Sequence, residues 1–97
     1  MPYRISFAQS AISDLEDTLR WYDQQLAPDV GKRLVSEVIH KIERLAEHPE
    51  SGRIVPEFQT HQLREIICAP FRVVYRLGQG RVRIVRVWRG ERQLRLP

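Results

Sequence analysis

The hydrophobic period of this chain switches from helical to strand spacing past its middle, and that switch limits the folds open to it. From Ala11 to Ala46 apolar residues recur at helical spacing; from Leu63 to Trp88 they fall in short strand-like runs separated by turn residues. Ile12, Leu15, Leu19, Tyr22 and Leu26 follow a 3-4-3-4 pattern, which predicts one amphipathic helix over about residues 9 to 26. Asp14, Glu16 and Asp17 sit in its N-terminal half, where the helix dipole favours anions. Leu34, Val35, Val38, Ile39, Ile42, Leu45 and Ala46 form a second stripe, which Pro49 ends. Between the stripes, Ala27-Pro28-Asp29 breaks the chain, and Pro28 fits an early position of the second helix. Helices joined by so few residues pack as an antiparallel hairpin.

Tyr3-Arg4-Ile5-Ser6-Phe7 alternates with period two and predicts a short strand. Residues 50 to 61 show no period and carry Gly52 and Pro56, so they read as a loop. Strands follow at 63 to 68, 71 to 77 and 81 to 88, with Ala69-Pro70 and Gly78-Gln79-Gly80 as turns. If the second turn has two residues, Phe71, Val73, Tyr75 and Leu77 share a face with Val82, Ile84, Arg86 and Trp88. Arg72, Val74 and Arg76 then share the other face with Arg81, Arg83, Val85 and Val87. The expectation is an α+β domain over residues 1–97, in the order β-α-α-β-β-β. Its helices cover the apolar face of a mainly antiparallel sheet, and Trp88 is expected in that core.

Charge is divided unevenly. From Gln62 onward there are nine arginines and two acids, a net +7, whereas Met1 to His61 holds seven Lys/Arg against ten Asp/Glu, a net −3; together they make the chain's +4. All the basic residues of the second part are arginine, whose planar, permanently charged fork suits carboxylates and phosphates. So local an imbalance points to an anionic partner, whether DNA, RNA or an acidic polypeptide. A solvated sheet face is the plainer reading of each arginine singly; the set argues for contact.

The remaining chemistry is sparse. One cysteine, Cys68, permits no internal disulfide or zinc cluster and reads as a small buried apolar residue. His40, His48 and His61 have no ligand spacing, His48 being placed to meet last-turn carbonyls, and the serines have no base pattern, so neither metal nor cofactor is expected. No apolar run reaches membrane-spanning length, and Met-Pro-Tyr-Arg-Ile-Ser lacks a signal-peptide core, so a cytoplasmic protein is expected. Trp21 lies beside the stripe of the first helix, at the margin where a large amphipathic ring commonly meets a partner.

Several motifs occur in a suggestive order: Ala11 with Asp14-Leu15, then His48-Pro49-Glu50-Ser51-Gly52-Arg53 with Val55-Pro56-Glu57, then Arg64-Glu65-Ile66. Pro70-Phe71-Arg72-Val73-Val74-Tyr75-Arg76 and Ile84-Val85-Arg86-Val87-Trp88-Arg89-Gly90-Glu91-Arg92 complete it. With this order the chain resembles the RelE/ParE superfamily of type II toxin–antitoxin toxins, and its proline-glycine loop and closing segment look most like the ParE branch. The resemblance implies a target, either DNA gyrase trapped on cleaved DNA or mRNA cut in the ribosomal A site. It also implies a cognate, ParD-like antitoxin with a disordered acidic-apolar tail, bound in a hetero-oligomer along the helical hairpin and sheet edge, with Trp21 and Leu26 as hairpin contacts. DNA would be met indirectly through that antitoxin.

Cleaving RNA needs a base, an acid and cations. By resemblance Arg72 matches a strand arginine that binds phosphate in the RNA-cutting relatives, Glu57 matches a glutamate used as base in one subgroup, and Arg89 and Arg92 fall in the basic closing segment. The acid is the gap, since no His or Tyr follows Tyr75 and arginine keeps its proton. Arg89 also stands where many ParE-like chains have His before the closing glycine. The balance favours a non-catalytic gyrase inhibitor whose Arg72, Arg76, Arg81, Arg83, Arg89 and Arg92 meet target or antitoxin. The alternatives are a RelE-like endonuclease using Arg72, Arg89, Arg92 and Glu57, and a non-toxic relative that serves as antitoxin partner or co-repressor.

Overall fold

A computed structural model describes residues 2–90. Strand β1 (Arg4–Phe7) leads into helices α1 (Gln9–Gln24) and α2 (Pro28–Glu43), and a 3-10 turn at Arg44–Ala46 continues α2. Strands β2 (Arg53–Ile54), β3 (Leu63–Cys68), β4 (Phe71–Gly78) and β5 (Arg81–Arg89) follow. The sheet order is β1-β5-β4-β3-β2, with β1 parallel to β5 and all other pairs antiparallel. The expected α+β order holds. The stretch 50–61 departs from its reading as a loop, because two of its residues, Arg53 and Ile54, pair with Glu65 and Arg64. A pairing this short leaves no period to read.

The helical stripes form in part: Leu15, Leu34, Val38, Ile42 and Leu45 face the core, whereas Ile12 and Leu26 of the first stripe are exposed. Pro28 opens α2, and α1 stops two residues short of Leu26. Ala11, Val38, Ile42 and Leu45 are buried against Phe71, Val73, Tyr75, Val82, Ile84 and Val87 from the sheet. Cys68 is buried in the same core, where desolvation raises its thiol pKa.

The β4–β5 turn has two residues, since Gly78 pairs with Arg81, and Gly80 takes φ +67°, the left-handed region glycine enters freely. Up to Tyr75↔Ile84 the expected faces hold. Between Val74 and Tyr75 the register shifts, because Val74 pairs with Arg86 and Val85 is an extra residue on β5. One added residue exchanges the faces of everything beyond it. Val87 therefore pairs with Val73 inside the helix-side core, and Trp88 pairs with Arg72 on the opposite face. Both findings correct the parity reading, as does Arg86, which leaves the helix-side face.

The bulge also explains how α1 is held. Ala8, at its N-cap, offers no side-chain cap. Its N–H instead donates to the Ile84 carbonyl at 2.8 Å, which continues the β1–β5 ladder. Beyond Ile84 no strand among the described residues pairs with this edge of β5, and residues four apart on one face of α1 take over. Ser10 Oγ donates to the Val85 carbonyl at 2.6 Å, and the Asp14 carboxylate accepts the Val87 N–H at 2.8 Å. Asp14 also accepts two bonds from the Arg86 guanidinium, each 2.8 Å. Its place in the helix sequence suggested a dipole role; in the fold it closes a strand edge.

Candidate functional site: one sheet face in two halves

The sheet face away from the helices carries two different arrangements of arginine. Its β2–β3 half is covered. Val55, Leu63, Val74 and Val85 make a small second core there, with Trp88 packed against it. The Arg86 guanidinium lies 4.0 Å from the centre of the Trp88 ring. Beside this core Glu65 is 1% exposed and bridges two arginines, accepting from Arg53 Nε at 2.6 Å and from Arg72 Nε at 2.7 Å. The outer nitrogens of Arg72 then grip both oxygens of Glu57 at 2.8 Å. Two arginines and two glutamates form one neutral chain, and each buried charge has its counter-ion.

This chain decides what Glu57 can do. Its hydrogen bonds with Arg72 pull its carboxyl down to about 2. A general base works best with a pKa near the working pH, and a carboxylate this acidic is a poor acceptor of a hydroxyl proton. Arg72 is held protonated above its ordinary value, first by Glu57 and then by Glu65, against its own desolvation. With its side chain 12% exposed, it has little surface left for a phosphate.

The loop over this half is fastened from below. Tyr75 Oη donates to the Pro49 carbonyl at 2.7 Å and accepts the Gly52 N–H at 3.0 Å. A Cβ on Gly52 would stand 2.5 Å from that hydroxyl and 2.8 Å from the Glu65 carbonyl, so only glycine fits. Arg64 donates to the carbonyls of Glu50, Gly52 and His61. The His-Pro-x-x-Gly-Arg motif is thus an anchor that sets Arg53 against Glu65. The Tyr75 phenol is pushed up by burial and is bonded within the fold, so it does not supply the acid missing after β5.

The other half, toward β1 and the β4–β5 turn, is bare. Arg4 lies opposite Arg81, and Arg76 opposite Arg83, all four exposed. Among the described residues no carboxylate lies within ion-pair distance of any of them.

The sequence candidates therefore separate. Arg72, Arg76, Arg81 and Arg83 do share the face away from the helices. Arg89 pairs with Phe71 and lies over that ring at 5.8 Å, on the helix side, so it does not join Arg72. Arg92 lies outside the described residues. Glu57 and Arg72 are brought together, as partners of each other. Glu65, Arg53 and Arg4 were missed. Period-two parity gave a signal for Glu65, which alternates on β3 toward the face of Arg72, and for Arg4, which alternates with Ile5.

A third exposed feature is the hairpin tip. Trp21 is 51% exposed, edge-on to Tyr22 at 4.8 Å, and Leu26 is 91% exposed. Leu26 sits at φ 59°, where glycine is usual, and the Ala27 N–H to Tyr22 carbonyl and Leu26 N–H to Asp23 carbonyl bonds close a Schellman motif around it. Trp21 and Tyr22 also wall a cleft of about 550 Å³ with Phe71 and Trp88.

Comparison with known proteins agrees with this architecture. A family model described as the ParE toxin of the type II toxin–antitoxin system parDE matches residues 5–94. The chain belongs to that family of toxins. Among solved structures, a chain from the chromosomal ParDE toxin–antitoxin system of P. aeruginosa superposes with a TM-score of 0.77 at 19% identity, over 92% of this chain and 97% of that one. A chain from the toxin–antitoxin complex RelBE2 of Mycobacterium tuberculosis gives 0.66 at 22% identity, over 92% and 99%. At such identities the two share the fold. No curated protein matches this chain in sequence.

Proposed function

We propose that this toxin acts in the cytoplasm by binding DNA gyrase and stopping it on cleaved DNA, without chemistry of its own, and that a cognate antitoxin neutralises it. The supporting observation is the bidentate Glu57–Arg72 pair. It occupies both the candidate base and the candidate phosphate-binding arginine, and it leaves the carboxyl at about 2. Losing base and acid together damages a nuclease far more than it damages an inhibitor that works by docking.

For the antitoxin, the apolar hairpin tip supplies anchors. Trp21 and Leu26, with Val30 on the next helix, suit an amphipathic segment with apolar residues at helical spacing. The arginines of β3 to β5, on the sheet beside the hairpin, suit acids that flank those anchors. Both structural relatives come from toxin–antitoxin systems, which supports such a partner.

The test is a paired assay on the purified toxin. Supercoiling by gyrase should stop, or cleaved-DNA complexes accumulate, while mRNA on programmed ribosomes stays intact. Ribosome-dependent cuts with gyrase unaffected would replace this reading with the endonuclease one. Antitoxin binding should weaken as salt rises and should fall further in Trp21→Ala.

A further inference from the structure

We infer that the bare arginine corner, Arg4, Arg76, Arg81 and Arg83, is a surface for the phosphodiester backbone of duplex DNA. The inference rests on the gyrase reading for the source of that DNA.

Register carries the argument. In a sheet, like charges directly opposite each other destabilise the pairing. Here two such pairs are adjacent, Arg4 opposite Arg81 and Arg76 opposite Arg83, on three neighbouring strands. Elsewhere on the sheet the fold does supply partners: Arg53 and Arg72 have Glu65, Arg86 has Asp14, and Arg64 has three carbonyls. In the corner the one side-chain hydrogen bond of these four arginines found among the described residues is Arg83 Nη1 to Ser6 Oγ at 3.4 Å. Four cations gathered at a cost, with no anion beside them among the described residues, are matched to an anion from outside.

The layout favours phosphodiester over an acidic peptide. Strands lie roughly 4.8 Å apart and alternate residues roughly 6.8 Å apart along a strand, so the guanidinium groups form a two-dimensional array rather than one line. A folded acidic segment needs apolar anchors as well as charge. Among the described residues the large exposed apolar side chains lie elsewhere: Ile12, Trp21, Leu26 and Val30 on the hairpin, Phe58 and Ile67 toward the β2–β3 side. The corner holds arginine, Ser6 and Gly78, and cations alone suffice to hold a phosphate backbone without reading its sequence.

The experiment is fluorescence anisotropy of the full chain with a short blunt DNA duplex, in the absence of gyrase. With about four phosphates neutralised, at about 0.9 per phosphate, affinity should fall on the order of a hundredfold between about 50 and about 200 mM salt. The double variant Arg81→Ala/Arg83→Ala should make the slope shallower by about 2, about 1 for each phosphate no longer neutralised. Arg33→Ala, exposed on α2, should leave it unchanged. The melting temperature of the double variant should equal or exceed that of the parent, which separates lost binding from lost fold. An unchanged slope in the double variant overturns the inference. So does equal binding to polyglutamate at matched charge, which marks an acidic-peptide surface, or tighter binding to duplex RNA. Gyrase inhibition by a parent that binds no DNA refutes the corner alone. DNA binding by a parent that leaves gyrase active refutes the gyrase reading alone.

Discussion

Arg72 and Arg83 point from neighbouring strands to the same side of one sheet, yet their surroundings are opposite. Around Arg72 the fold supplies two carboxylates and a covering loop, and the charge is neutralised inside the molecule. Around Arg83 it supplies a serine hydroxyl at 3.4 Å and a second arginine directly across the ladder. A guanidinium with its counter-ion in place works as a structural crosslink, whereas one without it keeps its field for a partner. Counting arginines on a face does not distinguish these uses; the position of the acids does.

The strongest way to break the comparison is to remove the acid at its centre. Glu65→Ala leaves Arg72 buried with half its partners, and stability should drop by about 3 kcal/mol in a denaturant titration, since breaking a buried ion pair from one side is costly. A loss under 1 kcal/mol, the size of a surface pair, would show that the covered half is no more structural than the bare one. Tyr75→Phe removes the anchor of the covering loop. It strands the buried Gly52 N–H and should cost about 2 kcal/mol.

Acid titration probes the same half. The carboxyl of Glu57 is lowered from 4.5 to about 2 in the fold, so its contribution is fully present above pH 4.5 and is lost as pH falls toward 2. Because that side chain is 38% exposed, the effect is modest and screened by salt. In Glu57→Gln this part of the acid slope should vanish.

Two smaller predictions concern the exposed regions, and both have a sign opposite to ordinary damage. Leu26→Gly relieves a left-handed leucine worth about 1 kcal/mol or more, offset in part by glycine's freedom when unfolded. A net gain of about 0.5 kcal/mol is expected, with weaker antitoxin binding by calorimetry. Arg76→Thr removes one like-charge pair and should raise stability by about 0.3 kcal/mol. If it lowers stability instead, the corner has an internal partner and belongs with the covered half.

The sequence by itself determined the order of the main elements, the helical hairpin and, given a two-residue β4–β5 turn, the side of the sheet on which Arg72, Arg76, Arg81 and Arg83 stand. Each follows from a local period, 3.6 or 2, which survives without knowledge of the neighbours. Tertiary structure alone decided the rest. The extra residue Val85 reversed the faces of Val87 and Trp88, because a bulge is a relation between two strands, and the adjacent apolar pair Ile84-Val85 that marks it on β5 does not by itself set the register. The union of Arg53, Glu65, Arg72 and Glu57 needed three strands and a loop to converge, as did the bonds from Ser10 and Asp14 to the edge of β5. Whether a charge here is neutralised or available is set by groups distant along the chain, so only the folded arrangement could separate the arginines that hold this protein together from those left to meet something else.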